Sequence, residues 1–331
     1  MNANLADQPI TGNSFPRIFV SYKREDHLFA EQLVALLRRI YKYDNVWLDP
    51  DLSGGQDWWS EIVRQIESRD IFLYVLSQKS LTSLYCRAEY SEAIRCGKSV
   101  IPIATERSIN FQSMLGRIHV PKIPNSQDDN QTTVSADYLA EIMRAIVHRG
   151  SPQQKVDSQS LWANRNIQSR SNEENTLRIS LKVPARVEPN NENRHLCNTG
   201  IFLQPDDKIE VRVTGEITID NGTTWMSADG VIKRSSEEYK DWIGLKVITQ
   251  NAYSIGDGIR INLDTPTPAG SLFGWIGEDE GGIDKSFPIG TGQNIPRTHP
   301  GYLHIAVTDN KGEYGDNQGF FDLVITLGKH T

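Results

Sequence analysis

In LTSLYCRAEYSEAIRCGKSVIPI, residues 81–103, Glu89 falls in the expected first turn of a helix. A carboxylate there is either a solvated acid favoured by the helix dipole or a group that stabilises a developing positive charge. Tyr85 precedes it by one helical turn. Cys86 is also near, but no His stands beside it in the sequence, so a thiol nucleophile is not expected. Lys23 and Arg24 follow the apolar run RIFVSY. They read as a solvated turn or as a phosphate or partner contact, since Arg binds phosphate in bidentate fashion. Of Trp58 and Trp59, helical spacing gives one to the core and leaves one ring for a ligand. A second constellation is TDNKGEYGDNQGFF, residues 308–321. Asp309, Asp316 and Asn317 are hard oxygen donors, and Gly312 and Gly315 allow a tight loop. Nearby carbonyls can complete the roughly six to eight ligands of calcium. The spacing is not that of an EF-hand, and the alternative is an acidic turn between two strands. Neither G-x-G-x-x-G nor G-x-x-x-x-G-K-[ST] is present, which disfavours a Rossmann redox enzyme or an NTPase.

The elements around these residues alternate. Residues 1–14 read as a flexible tail. Arg17–Tyr22 is a strand, and Leu33, Leu36, Leu37 and Ile40 mark an amphipathic helix. Asn45–Leu48 is a short strand, followed by the turn-rich LDPDLSGGQDWW, in which Asp57 can cap a helix carrying Trp58, Trp59, Ile62 and Ile66. IFLYVL, residues 71–76, is apolar without alternation, as in a strand covered on both faces. The helix around Tyr90, Ala93 and Ile94 ends at Gly97, the strand 99–103 follows, and Leu139, Ile142, Met143 and Ile146 mark a last helix. This β-α-β-α-β-α-β-α order over residues 15–148 predicts an α/β, flavodoxin-like domain with a parallel sheet and helices on both faces. Residues 149–174, polar and rich in Ser, Gln and Asn, read as a linker. From 175 to 331, short alternating stretches recur at 177–181, 209–213, 217–219, 259–263, 303–307 and 323–327. They predict an all-β jelly-roll or sandwich domain.

The 331 residues exceed one ordinary core. With 38% hydrophobic and 23% charged residues the composition is that of a globular protein. A net charge of −7 argues against a nucleic-acid binder. No apolar run approaches the roughly 20 residues of a membrane span, and no signal peptide is visible. Cys86, Cys96 and Cys197 lack metal-ligand spacing and read as reduced thiols, so a cytoplasmic location is expected.

Three pieces, FVSYKRED, LDPDLSGGQDWWSEI and SLYCRAEYSEA, each fall at the carboxyl end of a predicted strand, the ligand-binding edge of an open α/β sheet. With the DIFLYVLS strand, S-x-x-C-x-x-E-Y and GKSVIPI, they make residues 16–147 resemble the bacterial Toll/interleukin-1 receptor (TIR) domain family. That family divides into scaffolds and enzymes that cleave NAD+ at the nicotinamide–ribose bond. The resemblance implies that Glu89 is the catalytic carboxylate, steadying an oxocarbenium-like transition state. It also implies that Tyr22, Lys23, Arg24, Trp58, Ser77 and Tyr85 contact the substrate: Ser77 the ribose, Trp58 and Tyr85 a base, Lys23 and Arg24 the diphosphate. Self-association through TIR domains, with the loop 49–58 as the usual contact, is implied as well.

The C-terminal AGSLFGWIG, FPIGTGQNI, GYLHIAVTDN and EYGDNQGFFDLVI resemble the small calcium-dependent galactophilic lectins of bacteria, over about 208–329. This resemblance implies a Ca2+ site at Asp309, Glu313 (through its carbonyl), Asp316 and Asn317, with a further carbonyl near Ile219. The His and Gln that those lectins place on the sugar have no counterpart in SADGVIKRSS. Reuse of the fold for assembly or ligand sensing therefore stands beside carbohydrate binding.

Together the two resemblances imply an NAD+ hydrolase or cyclase, a TIR effector of antiphage or stress defence gated by a lectin-like sensor for a carbohydrate or small-molecule trigger. The alternative is a non-enzymatic TIR scaffold with a carbohydrate-binding module. A secreted carbohydrate-binding virulence factor is disfavoured by the missing signal peptide.

Overall fold

Ile18–Ser21 (β1), Ile71–Leu76 (β3) and Ser99–Ala104 (β4) are buried at every position, which is why they read as continuous apolar runs rather than alternating ones. With Val46–Leu48 (β2) they form a four-stranded parallel sheet of order β2-β1-β3-β4 in a computed structural model. The model describes residues 15–48, 58–109, 112–115, 118–125, 127, 133–148, 161, 164–169, 176–186, 198–222, 224–235, 247–248, 253–255, 259–261, 267–268, 270–277, 286–292, 295, 299–309 and 315–329. The helices His27–Tyr41 (α1), Trp58–Ser68 (α2), Gln78–Thr82 (α3), Leu84–Arg95 (α4), Gln112–Leu115 (α5) and Ala136–His148 (α6) complete this domain. α1 buries Phe29, Leu33 and Leu37, and α6 buries Tyr138, Ile142 and Ile146. The chain runs from β1 to β2 on one side, and β3 lies on the other side of β1. The order therefore reverses beside β1, and the carboxyl ends of β1 and β3 form the crevice where such sheets take ligands.

Helix α4 is the element that positions the candidate carboxylate. Ser83 caps it by accepting from the Cys86 amide at 3.4 Å. At its other end Gly97 has φ 65°, Gly97 N donates to Ile94 O at 2.9 Å, and Lys98 N donates to Ala93 O at 2.9 Å. This is a Schellman closure, and it needs a residue that tolerates positive φ.

The C-terminal region is built of antiparallel sheets. Asn166–Ser169 (β5), Leu177–Pro184 (β6), Asp207–Thr218 (β8), Thr224–Met226 (β9), Ile232–Ser235 (β10) and Gln318–Lys329 (β18) form a sheet of order β10-β9-β8-β18-β6-β5. Asn198–Leu203 (β7), Leu272–Gly277 (β15), Ser286–Pro288 (β16) and Gly301–Val307 (β17) form a second, of order β16-β15-β17-β7. Val247–Ile248 (β11) pairs with Thr267–Pro268 (β14), and Tyr253–Ile255 (β12) pairs with Ile259–Ile261 (β13). Buried residues of both large sheets, Leu181, Val211 and Ile325 with Phe273 and Ile305, belong to one apolar core.

Two expectations are corrected. The stretches 209–213 and 217–219 are not separate strands: β8 is continuous and pairs with β18 from Asp207 to Thr218. Gly215 joins them, with φ 103° and no side chain; a Cβ there would meet Phe320 O at 2.7 Å. The linker also proves shorter, because Asn166–Ser169 pairs with β6 as an edge strand. One buried apolar residue, Ile167, in a polar stretch gives too little alternation to read as a strand. Leu161, which was free to dock on either domain, is buried in the core cluster, and Trp162 lies outside the described residues. Among the described residues no helix is long and apolar enough to cross a membrane.

Candidate functional site

The position of Glu89 differs from the expected one. Because Ser83 caps α4 and the helix starts at Leu84, Glu89 lies in its second turn, away from the terminal dipole. What holds it is Ser21, the last residue of β1, whose hydroxyl donates to Glu89 Oε2 at 2.5 Å. Both are buried, at 1% and 6% exposure. The bond joins β1 to α4 at the reversal point of the sheet, and a donated hydrogen bond favours the ionised carboxylate. Ser21 was not singled out from sequence. The available signal was a hydroxyl closing an otherwise apolar strand.

Around this pair, Cys86 is buried and its thiol is pushed up to about 12, by burial first and then by the charge of Glu89. A thiol so placed keeps its proton at neutral pH. Lys23 and Asp26 also act on Cys86 electrostatically, which puts these charges in the same neighbourhood. Lys23 lies 3.8 Å from Glu25 in a partly exposed ion pair. Arg24 is exposed and opens the short 3-10 turn Arg24–Asp26. Tyr22 is half-buried against the core. Burial raises the Asp26 carboxyl above its usual range, opposed by a hydrogen bond that Ser77 donates at 2.6 Å.

Ser77 is committed to structure. Its hydroxyl accepts from Ser80 N at 3.0 Å, Ser80 Oγ accepts from Ser77 N at 2.9 Å, and this reciprocal box caps α3. The tryptophans divide as spacing implied. Trp59 is core, whereas Trp58 is half-buried and stands edge-on to Tyr85, with centroids 5.0 Å apart and planes at 88°. Tyr85 and Glu89 are four residues apart on α4, so the aromatic pair and the carboxylate share a helix face. The loop 49–57, with Asp57, Gly54 and Gly55, lies outside the described residues.

Arg87, Ser91 and Glu92, on the polar side of α4, are buried as well. Arg87 and Ser91 find partners in the C-terminal region, while Glu92 pairs with Arg95 of the same helix and lies 3.6 Å from Arg165 of the segment leading there. A charged helix face ordinarily reads as solvated, and a partner over a hundred positions away leaves no local signal. Glu67, Glu92 and Cys96 lie close enough to hold an ion. However, Arg95 already supplies the cation, reaching Glu92 at 2.6 Å and Glu67 at 3.1 Å.

In the C-terminal region, residues 308–317 separate β17 from β18. Asp309 and Asn317 are buried, at 0% and 1% exposure, and Asp316 is exposed. Asn317 Nδ2 donates to Ala185 O at 3.1 Å, while its Oδ1 has no hydrogen-bond partner among the described residues. A buried amide oxygen in that state is costly unless something accepts its lone pairs. A hard cation fits this chemistry. Pairing of Gln318 with Thr218 brings the 218–222 turn alongside, and Gln318 Nε2 donates to Asn221 Oδ1 at 3.0 Å. That turn includes Ile219. Glu313 lies outside the described residues.

A four-stranded parallel sheet with flanking helices, its order reversing beside β1, defines an α/β domain of the open-sheet class. Residues 18–134 match the model of the TIR domain, and this part of the chain is a TIR domain. No curated protein matches the chain. Among solved structures, one described as "EclA N-terminal domain; PllA-like lectin" is similar at 20% identity. The match covers 45% of this chain and 94% of that one, with a TM-score of 0.28.

Proposed function

We propose that the protein cleaves NAD+ at the nicotinamide–ribose bond, with Glu89 as the catalytic carboxylate. The observation that carries this reading is the buried Ser21–Glu89 hydrogen bond at the carboxyl ends of β1 and β3, beside the Trp58–Tyr85 pair. When the C1′–N bond breaks, its electron pair goes to the pyridine nitrogen. Nicotinamide leaves neutral and needs no general acid. Positive charge grows on the ribose, and an ionised carboxylate held in place lowers the energy of that state without reorganising. Water, or a nucleophile within the same nucleotide, then closes the ribose cation to linear or cyclised ADP-ribose. Trp58 and Tyr85 supply aromatic edges for a base, and Lys23 and Arg24 supply cations for the diphosphate. In the same reading the TIR domain self-associates in a defence response, and the C-terminal region serves as sensor or assembly domain. Calcium there would tie the ends of the 308–317 loop together and offer coordination to hydroxyl groups.

The test is incubation of the purified full-length protein with NAD+ and chromatographic separation of the products. Nicotinamide release by the wild type, with loss of about a hundredfold or more in Glu89→Gln, is the expected result. Equal turnover by Glu89→Gln sinks the mechanism. A second reading, a TIR scaffold without activity, is favoured by one observation: Glu89 is only 6% exposed and ties β1 to α4. Under that reading no nicotinamide is released, and Glu89→Gln lowers the melting temperature instead.

A further inference from the structure

Helix α4 is gripped from two sides. On one, Glu89 meets Ser21 of β1. On the other, Arg87 forms a fork with Asp207 at the start of β8: Nη1 to Oδ2 at 2.7 Å and Nη2 to Oδ1 at 2.8 Å. The same Nη1 donates to Phe202 O of β7 at 2.6 Å, and Nε donates to Ser83 O at 3.4 Å. Asp207 Oδ2 also accepts from Gln204 N at 2.8 Å. The two side chains are 4% and 0% exposed, so this ion pair lies out of water with nearly all its hydrogen-bonding capacity used.

One turn further along α4, Ser91 donates to Gly200 O of β7 at 2.5 Å. Arg165, at the entrance to β5, adds bonds to Thr199 O at 3.2 Å, to Gly200 O at 2.8 Å and to Ser91 Oγ at 2.9 Å, and lies 3.6 Å from Glu92. The void left beneath these contacts, between Ala88, Ile167 and Ile201, is about 20 Å³. That is room for one water at most.

Residues 87 and 89 are two positions apart, which places their side chains on nearly opposite sides of a helix. The helix is thus a rod between β1 and the C-terminal region. A shift that loosens the Arg87 end moves the Glu89 end.

We propose that Arg87 is a positioning residue. By fastening α4 to Asp207 it sets where the Glu89 carboxylate stands, so the C-terminal region is a working part of the NAD+-cleaving site. This rests on the reading of Glu89 given above. Removing either partner strands the other charge in a buried place, and a displacement of about 1 Å at a reacting group costs on the order of a hundredfold in rate.

The experiment uses the full-length protein as wild type, Asp207→Asn and Arg87→Lys, with Arg64→Ala as a surface control. Four quantities are read: kcat and KM for NAD+, amide hydrogen exchange across residues 84–95, and the melting temperature. Expected for Asp207→Asn is a fall in kcat of about tenfold to a hundredfold, KM within about twofold, and faster exchange in α4 with β3 and β4 still protected. Arg87→Lys keeps the charge without the fork, and it shows the same pattern more weakly. It decides the matter if Asp207→Asn does not fold. Unchanged kcat in a variant whose α4 exchanges faster overturns the proposal, as does a change confined to KM. If the wild type releases no nicotinamide, the enzymatic reading fails by itself. Hydrogen exchange then judges the fastening of α4 alone, and α4 as protected in Asp207→Asn as in wild type overturns it.

Discussion

Glu89 and Cys86 sit three residues apart on one helix, both buried. Glu89 accepts a short hydrogen bond from Ser21. Burial, and then the Glu89 charge, outweigh the hydrogen bond with Ser83 and the Lys23 charge at Cys86, so its proton is held up to about 12, against an ordinary 9.0. The folded state therefore binds this proton more tightly than the unfolded chain does. The stability it contributes is complete below pH 9 and is lost as pH rises from 9 towards 12. Cys86→Ala is expected to flatten the decline of melting temperature between pH 9 and 11. Native Cys86 is also expected to resist alkylation at pH 8, where half-buried Cys96 reacts faster. Mass spectrometry of the alkylated protein checks this, and rapid modification of Cys86 would show that the site is open. Glu89 as a candidate was legible because its motif is local. Its turn of the helix was misjudged, since Ser83 begins the helix earlier than the apolar spacing of Tyr90, Ala93 and Ile94 suggests. Ser21 was illegible for a different reason: it is 68 positions away, and only the parallel sheet brings it near.

Among the elements, the buried strands β3 and β4 and the Gly97 stop of α4 were readable, because burial on both faces and positive φ each leave a compositional mark. Strand β8 shows the limit. Its alternation runs Ile209, Val211, Val213, then Gly215, then Ile217, all on one parity. The missing side chain at 215 looks like a break in the sequence and is a close approach in the structure. Gly215→Val places a Cβ within 2.7 Å of Phe320 O at φ 103°. Strain of that kind costs roughly 1–3 kcal/mol before the clash is counted. The melting transition of the C-terminal region should fall by about 5 °C or more. Circular dichroism on heating measures it, and an unchanged transition would mean that β8 and β18 are not in this register.

For the whole molecule, element order and hydrophobic alternation predicted two kinds of architecture but not how they meet. The partner of Arg87 is 120 residues distant, and nothing in a helix-borne arginine announces burial. The loop between β17 and β18 gives a prediction at this scale. Millimolar calcium is expected to raise the melting temperature of the C-terminal transition, since a ligand bound only by the folded state adds about 2.7 kcal/mol at a hundred times its dissociation constant. Asp316→Ala, an exposed position, removes the rise without disturbing the fold. A calorimetric titration with no heat and no shift would return Asn317 Oδ1 to the status of an unexplained buried acceptor. Self-association of the TIR domain gives the fifth expectation: turnover per molecule increases with protein concentration. A specific activity that stays constant on dilution would remove the idea.

One consequence lies in the flank of β7. Among the described residues this strand ends its sheet, and the carbonyls of Thr199, Gly200 and Phe202 are capped by Arg165, Ser91 and Arg87. A bare sheet margin invites any extended chain to add to it, and proteins blunt such margins with charge or cover them. Here the cover is the helix that carries Glu89. Pulled apart, the two halves would not be independent modules. One would lose the brace on its carboxylate, and the other would present a strand ready to pair with a neighbour.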